Sequence, residues 1–372
     1  MPEDEPYWDT LKIQDKILHV PYESYEPVVK FLSDAAKDPD VLTIKMTLYR
    51  TGRDSPIISA LEQAAQNGKQ VIVLVELKAR FDEERNIAWA NELEQAGVTV
   101  IYGLVNLKVH AKILMVIRRE SDTIRRYVHL STGNYNARTA QIYSDAAIFT
   151  VNEEIANDIT LFFNLISGYS ALQTMKKIAI APVNLKSRLI SLIEREAETS
   201  VSENPGLIVA KLNAIGDEDV IDSLCEASKK GVKILLNVRG ICRLNPAVSE
   251  HKNIRVVSVV GRYLEHSRII YFKNGGNEEL FISSADWMNR NLERRVELLI
   301  PVTDSACFLE LKDNLLRFFK DDTHAHELNG DGSWTSVKGG TFSVQASLHE
   351  KYASRQRPEI EPASEFEVRR KG

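Results

Sequence analysis

The chain runs through one order of strands and helices twice. Each pass ends on a strand-like segment carrying a histidine and a cation two residues apart, "HAKILMV" from His110 and "HSRIIYF" from His266. An internal duplication of this kind restricts the fold to two domains of shared topology. Laying Gly68 over Gly231 places Leu61 on Leu224, Val71 on Ile234 and Val75 on Val238. Further on, "GNYNARTAQIYSD" lies over "ADWMNRNLERRVE" without a gap. Asn134 then matches Asp286, Arg138 matches Arg290 and Asp145 matches Glu297.

From Val41 the first copy reads strand ("VLTIKMTLY"), helix ("DSPIISALEQAAQNG"), strand ("QVIVLVEL"), helix ("DEERNIAWANELEQAG") and strand ("VTVIYG"). One strand over "LKVHAKILMVI" follows, then strands near "RRYVHLST" and "AAIFTV". The second copy repeats the order with "GLIVAKLNAI", "DEDVIDSLCEASKKG" and "VKILLNVRG". Apolar residues at three- and four-residue steps alternate with β-branched runs, the pattern of α/β architecture. Gly68 and Gly97 fall at expected helix C-caps. The helical stretches "EEIANDITLFFNLISGYS" and "NLKSRLISLIEREAETS" are expected to join the halves. Domains are expected over 1–177 and 178–330, and from about Asp331 the sequence turns Gly/Ser-rich and charged, so 331–372 reads as an extended tail.

On a strand, side chains alternate, so His110 and Lys112 share a face, as do His266 and Arg268. Burying an imidazole beside an ammonium is costly unless an anion arrives between them. Two such pairs suggest one site between the halves, with one imidazole neutral and attacking and the other protonated and assisting the leaving group. Cations at strand ends, among them Arg50, Arg80, Arg138, Arg239 and Arg268, suit phosphate oxygens. The bland alternative for each arginine is a solvated face or an ion pair with residues such as Glu76, Glu265 or Glu297.

Composition removes other classes. With 372 residues, 44% hydrophobic and 27% charged, the chain is ordinary globular protein. A net charge of −5 gives no bulk attraction for nucleic acid. No apolar run is long enough for a transmembrane segment, and "MPEDEPYWDT" does not read as a signal peptide. The three cysteines, at no metal-like spacing, suit reduced thiols in the cytoplasm. There is no Walker loop, HExxH, CxxC or GxSxG elbow, so a kinase here would need a phosphorylated histidine.

"HAK" with "STGNYNARTAQIYSD", and "HSR" with "SSADW", resemble the phospholipase D superfamily signature. The aspartate that family places five residues after the lysine is Ile117 in the first copy and Lys273 in the second. A fuller resemblance is to polyphosphate kinases of the type that builds polyphosphate from ATP through a phosphohistidine. It is carried by "HVPYESYEPVVKFLSDAAKDPDVLTIKMTLYRTG", "GKQVIVLVELKARFDEERNIAWA", "GLVNLKVHAKILMVIRRE", "VRGICRLNP", "VVGRYLEHSRIIYF" and "SSADWMNRNLERRVELLIPV", in family order over roughly residues 15 to 320.

The resemblance implies the C-terminal catalytic half of such an enzyme: two tandem phospholipase-D-like α/β domains with a pseudo-twofold active site between them. His110 would be the phosphorylated nucleophile with Lys112 beside it. Tyr143, Arg239 and His266 would contact the nucleotide phosphates, His266 doubling as an acid, and Arg268 and Asn134 would complete the phosphate set. Arg50 and Arg80 match positions associated with Mg²⁺. A guanidinium offers a metal no lone pair, so they are read as binding phosphate oxygens that themselves hold Mg²⁺. ATP, ADP and polyphosphate are the implied partners. Homo-oligomerisation is also implied, although dimer contacts and part of the adenine site belong to the family's N-terminal region. Peripheral association with a membrane is compatible with these features. The alternatives are a phospholipase-D-like phosphodiesterase and a non-catalytic polyphosphate-binding fragment.

Overall fold

The computed structural model describes residues 7–49, 55–76, 83–104, 107–168, 174–244, 252–337 and 339–356. The first half supplies β1 (Lys16–Val20), β2 (Val41–Leu48), β3 (Gln70–Val75), β4 (Thr99–Tyr102), β5 (Lys108–Val109), β6 (Lys112–Arg119), β7 (Ile124–Ser131) and β8 (Tyr143–Thr150). The second supplies β9 (Ala179–Ala181), β10 (Leu207–Leu212), β11 (Lys233–Val238), β12 (Ile254–Val259), β13 (Leu264–Glu265), β14 (Arg268–Phe272), β15 (Glu279–Ser283), β16 (Arg295–Pro301), β17 (Ala325–Leu328) and β18 (Trp334–Ser336).

The first sheet is ordered β1-β8-β7-β6-β2-β3-β4 and the second β18-β17-β12-β11-β10-β14-β15-β16, so two α/β domains are present as the duplication requires. In each, parallel strands (β2-β3-β4 and β10-β11-β12) adjoin antiparallel ones. Helices Pro56–Gln66 and Glu83–Gln95 make the crossovers of the first. Gly68 and Gly97 follow these helices at φ of 80° and 93°, left-handed positions that a side chain would strain.

The two sheets share a core. Ile113, Met115, Val128 and Ile148 of the first lie in one apolar cluster with Ile269, Tyr271, Ile282 and Leu298 of the second. Helix Glu153–Ile166 fills this join, as its apolar periodicity suggests. Helix Leu185–Thr199 does not: it covers the outer face of the second sheet beside helix Glu218–Lys229. Its place in the join is taken by Ser305–Arg317, whose Cys307, Leu311 and Leu315 enter the shared core.

Two further features differ from expectation. The segment "LKVHAKILMVI" is not one strand. β5 pairs in parallel with β16 of the other half, and the chain then crosses at His110 to enter its own sheet as β6. Alternation alone cannot show that a strand changes sheets. The face assignment survives within β6, where Ile113 and Met115 enter the shared core while Leu114 faces the other cluster.

The segment read as an extended tail carries β18 and helix Val344–Gln356. Polar residues dominate that helix, yet Val344, Leu348 and Tyr352 at four-residue steps are fully buried against Tyr22, Tyr263 and Phe318. Leu348→Ala should therefore cost about 2–5 kcal/mol in chemical denaturation, the range for truncating a buried leucine. A surface tail would cost almost nothing.

Candidate active site

The duplication places equivalent residues on exchanged strands. β5 runs beside β16, and His110 N donates to Val296 O at 2.9 Å. β13 runs beside β8, and His266 N donates to Ser144 O at 3.1 Å. Each histidine is thus delivered to the edge of the other half's sheet, where the next residue is a carboxylate. His110 Nδ1 lies 2.9 Å from Glu297 Oε2, and His266 Nδ1 lies 2.8 Å from Asp145 Oδ1.

The carboxylates are held alike. Glu297 accepts from Ser284 Oγ at 2.5 Å and Asn291 Nδ2 at 2.7 Å; Asp145 accepts from Thr132 Oγ1 at 2.6 Å. A Cβ on Gly133 would sit 2.4 Å from Asp145 Oδ2, so glycine there leaves the carboxylate its place. Burial by itself would raise both carboxyl pKa values. The histidine each faces, its hydroxyl donor and Lys112 or Arg268 outweigh that, and both shift down.

The histidines move down as well. Burial dominates for His110, opposed by Glu297 and assisted by Lys112, and its pKa falls to about 4. For His266 burial again leads, with Arg268 and Lys112 working against the attraction of Asp145. At neutral pH both rings are neutral against ionised carboxylates. An Nδ1–H donated to the carboxylate then leaves Nε2 with its lone pair. Both side chains are still 10% and 13% exposed, so a ligand can reach them.

The two cations turn back alike. Lys112 Nζ donates to His110 O at 2.5 Å, and Arg268 Nη1 donates to His266 O at 2.8 Å. Arg268 also pairs with Asp286 through Nη2 at 3.1 Å and Nε at 3.2 Å, and its Nη1 is 3.3 Å from His266 Nε2. Lys112 is buried with no direct carboxylate contact among the described residues, and burial, partly offset by Glu297, takes it down to about 7. The halves act on each other: Arg268 lowers the pKa of His110 and Lys112 lowers that of His266.

Of the sequence-derived residues, His110, Lys112, His266 and Arg268 thus form one cluster. Tyr143 joins it with its ring 5.2 Å from that of His266, and Tyr49 stands edge-on to His110 at 5.5 Å. Arg239, at the end of β11, donates to Asn213 Oδ1 at 3.0 Å and feels Asp286 and Arg268. Asn134, the match of Asp286, makes no comparable ion pair. Its Oδ1 is buried and, among the described residues, has no hydrogen-bond partner; it lies beside a small cavity of about 20 Å³ that also touches His129 and Asp145. Arg138 lies on an exposed turn. Arg50 and Arg80 lie outside the described residues.

Sequence profiles decide the family. "Polyphosphate kinase C-terminal domain 1" matches residues 6–172 and "Polyphosphate kinase C-terminal domain 2" matches 178–347. The chain belongs to the polyphosphate kinase family. It is 48% identical to a polyphosphate kinase of Rhodopirellula baltica over 98% of its own length and 44% of that protein's. It is 53% identical to one of Synechocystis over 86% and 44% of the respective lengths. The polyphosphate kinase crystal structure from Porphyromonas gingivalis superposes with a TM-score of 0.89 at 38% identity, covering 95% of this chain and 55% of that one. The chain spans less than half the length of these curated relatives. A phosphatidylserine synthase of Haemophilus influenzae, at TM-score 0.58 and 11% identity, shares the fold alone.

Membership in the polyphosphate kinase family raises the matter of Mg²⁺. Among the described residues no group of three or more histidine, cysteine, aspartate or glutamate side chains is placed to hold a metal ion. Asp145, Glu297 and Asp286 are each committed to a histidine or an arginine. The lysine, arginines and imidazoles beside them fit phosphate oxygens, while these committed carboxylates do not fit a protein-held divalent cation.

The supporting carboxylates were not singled out from sequence. Their signal was present, because Asp145 and Glu297 are matched in the repeat without a gap. What sequence lacks is the exchange that sends each to the other half's histidine.

Proposed function

We propose that this chain carries the catalytic centre of a polyphosphate kinase, moving the γ-phosphoryl group of ATP to the end of a polyphosphate chain, reversibly, through a phosphohistidine at His110. One observation carries the reading: a neutral imidazole fixed through Nδ1 by Glu297, with Nε2 left for attack beside Lys112 and Arg268. Mg²⁺ belongs to the substrate in this reading and arrives on the nucleotide's phosphates.

The Nε2 lone pair forms a bond to the γ-phosphorus as the bond to the β–γ bridging oxygen breaks, and ADP leaves with that electron pair. The phosphorylated ring keeps its Nδ1 proton, and the positive charge it gains faces Glu297. A terminal oxygen of polyphosphate then attacks the phosphorus and returns the lone pair to Nε2. Lys112, Arg268 and Arg239 hold the non-bridging oxygens, where positioning and charge do most of the work. His266 is neutral in the anion-free chain because burial, Arg268 and Lys112 disfavour its charge. A polyphosphate anion between those cations removes their repulsion, so His266 gains its proton where a leaving oxygen needs one. The pseudo-twofold arrangement thereby gives equivalent histidines different tasks. None of Cys225, Cys242 and Cys307 is in a disulfide, which supports a cytoplasmic setting.

The deciding assay incubates the chain with Mg-ATP and polyphosphate. Phosphoenzyme, ADP and a lengthening polymer are expected. Diester cleavage without ATP would mark a phosphodiesterase, and polymer binding without ADP a binding fragment. The pH response is a sharper check. With His110 titrating near 4 and Lys112 near 7, the initial rate of phosphoenzyme formation at saturating nucleotide should hold within about twofold between about pH 7 and 5.5, rising if at all as Lys112 gains its proton. A histidine with the ordinary pKa would lose about tenfold over that range.

A further inference from the structure

The strand that delivers His266 has only two residues, Leu264 and Glu265, and a strand so short cannot hold its own register. Its mate in the first half is steadied from within that half, because Val109 N donates to Glu76 Oε2 at 2.8 Å. In the second half the hold comes from the helix Val344–Gln356. Gln345 Nε2 donates to Tyr263 O at 3.0 Å and to Glu265 Oε1 at 2.6 Å, while its Oε1 accepts from Tyr263 N at 3.1 Å. One primary amide thus stands in for a neighbouring strand. The fit is close: a Cβ on Gly261 would lie 2.5 Å from Gln345 Oε1. From Glu265 the contact continues to Lys211 at 2.9 Å, whose Nζ donates to Ser267 Oγ at 2.5 Å. His266 is therefore flanked on both sides by residues tied to this buried chain of contacts.

We propose that Gln345 is a positioning residue for His266: its amide fixes the Tyr263–Glu265 turn and so sets where the His266 ring meets Asp145. The functional part of this inference rests on the reading of His266 as a participant in phosphoryl transfer.

The test compares the whole chain with Gln345→Ala, Gly261→Ala, His266→Ala and the His266→Ala/Gln345→Ala double variant, with thermal unfolding of each alongside. Gln345→Ala should lower kcat by about 10- to 100-fold, the scale for displacing a reacting group by an ångström or so. Gly261→Ala, which pushes the amide aside while keeping it, should act in the same direction and serves if Gln345→Ala fails to fold. In the His266→Ala background, removing Gln345 should change kcat less than about twofold, because both act through one group. An equal loss in both backgrounds, or unchanged kcat in Gln345→Ala, overturns the proposal. Nitrogen-15 spectra of histidine-labelled protein give a readout that needs no turnover. The His266 Nδ1 signal, identified by its loss in His266→Ala, should move in Gln345→Ala (or Gly261→Ala) while that of His110 stays. If no variant makes polyphosphate, this shift still decides the positioning claim, and an unmoved His266 signal overturns it.

Discussion

Replacing His110 with alanine will abolish acid-labile labelling by γ-³²P ATP and cut polymer synthesis by at least about 10⁴-fold, the scale for losing a covalent nucleophile. The fold should survive, since the ring lies at the edge of the shared site and retains 10% exposure. Lys112→Ala should weaken labelling without removing it. In this reading its ammonium assists a phosphoryl group that other cations also hold, whereas His110 Nε2 alone forms the bond to phosphorus. Full labelling in His110→Ala would end the nucleophile assignment.

Glu297→Gln should cost nearly as much, about 10²- to 10⁴-fold in phosphoryl transfer, although Glu297 touches no substrate in this reading. The carboxylate takes three donors: His110 Nδ1, Ser284 Oγ and Asn291 Nδ2. An amide of the same shape must turn its NH₂ toward one of them. If it faces His110, the ring flips to the tautomer with its proton on Nε2 and loses the attacking lone pair. The penalty for a wrong tautomer in a histidine–carboxylate pair is at the upper end of that range. Phosphoenzyme yield and thermal unfolding measured together separate the effects. A variant folded like the parent and labelled at the parental rate would show that Glu297 only supports structure.

The residues that could be read in sequence are those whose meaning is local. His110 and Lys112 stand two apart, as do His266 and Arg268, and the duplication exposed them because each copy repeats the offset. Crossover helices and their closing glycines, Gly68 and Gly97, followed from periodicity for the same reason. What escaped depends on contacts distant in the chain. Asp145 and Glu297 were aligned but not assigned, since only the exchange of β5 and β13 sends each to the opposite histidine. Gly133 carries no signal until Asp145 is seen against it. Helix Val344–Gln356 was missed because its buried stripe is three residues in a polar sequence, docked on elements from both ends of the chain.

The strand exchange also limits how the molecule can move. A hinge that swung the halves apart by one strand spacing, about 4.8 Å, would strip both histidines of their carboxylates and leave buried charges unmatched. Opening and closing between domains is therefore closed to this architecture as a way of admitting cargo. In the reading proposed above, a polymer substrate thus meets machinery that stays assembled throughout.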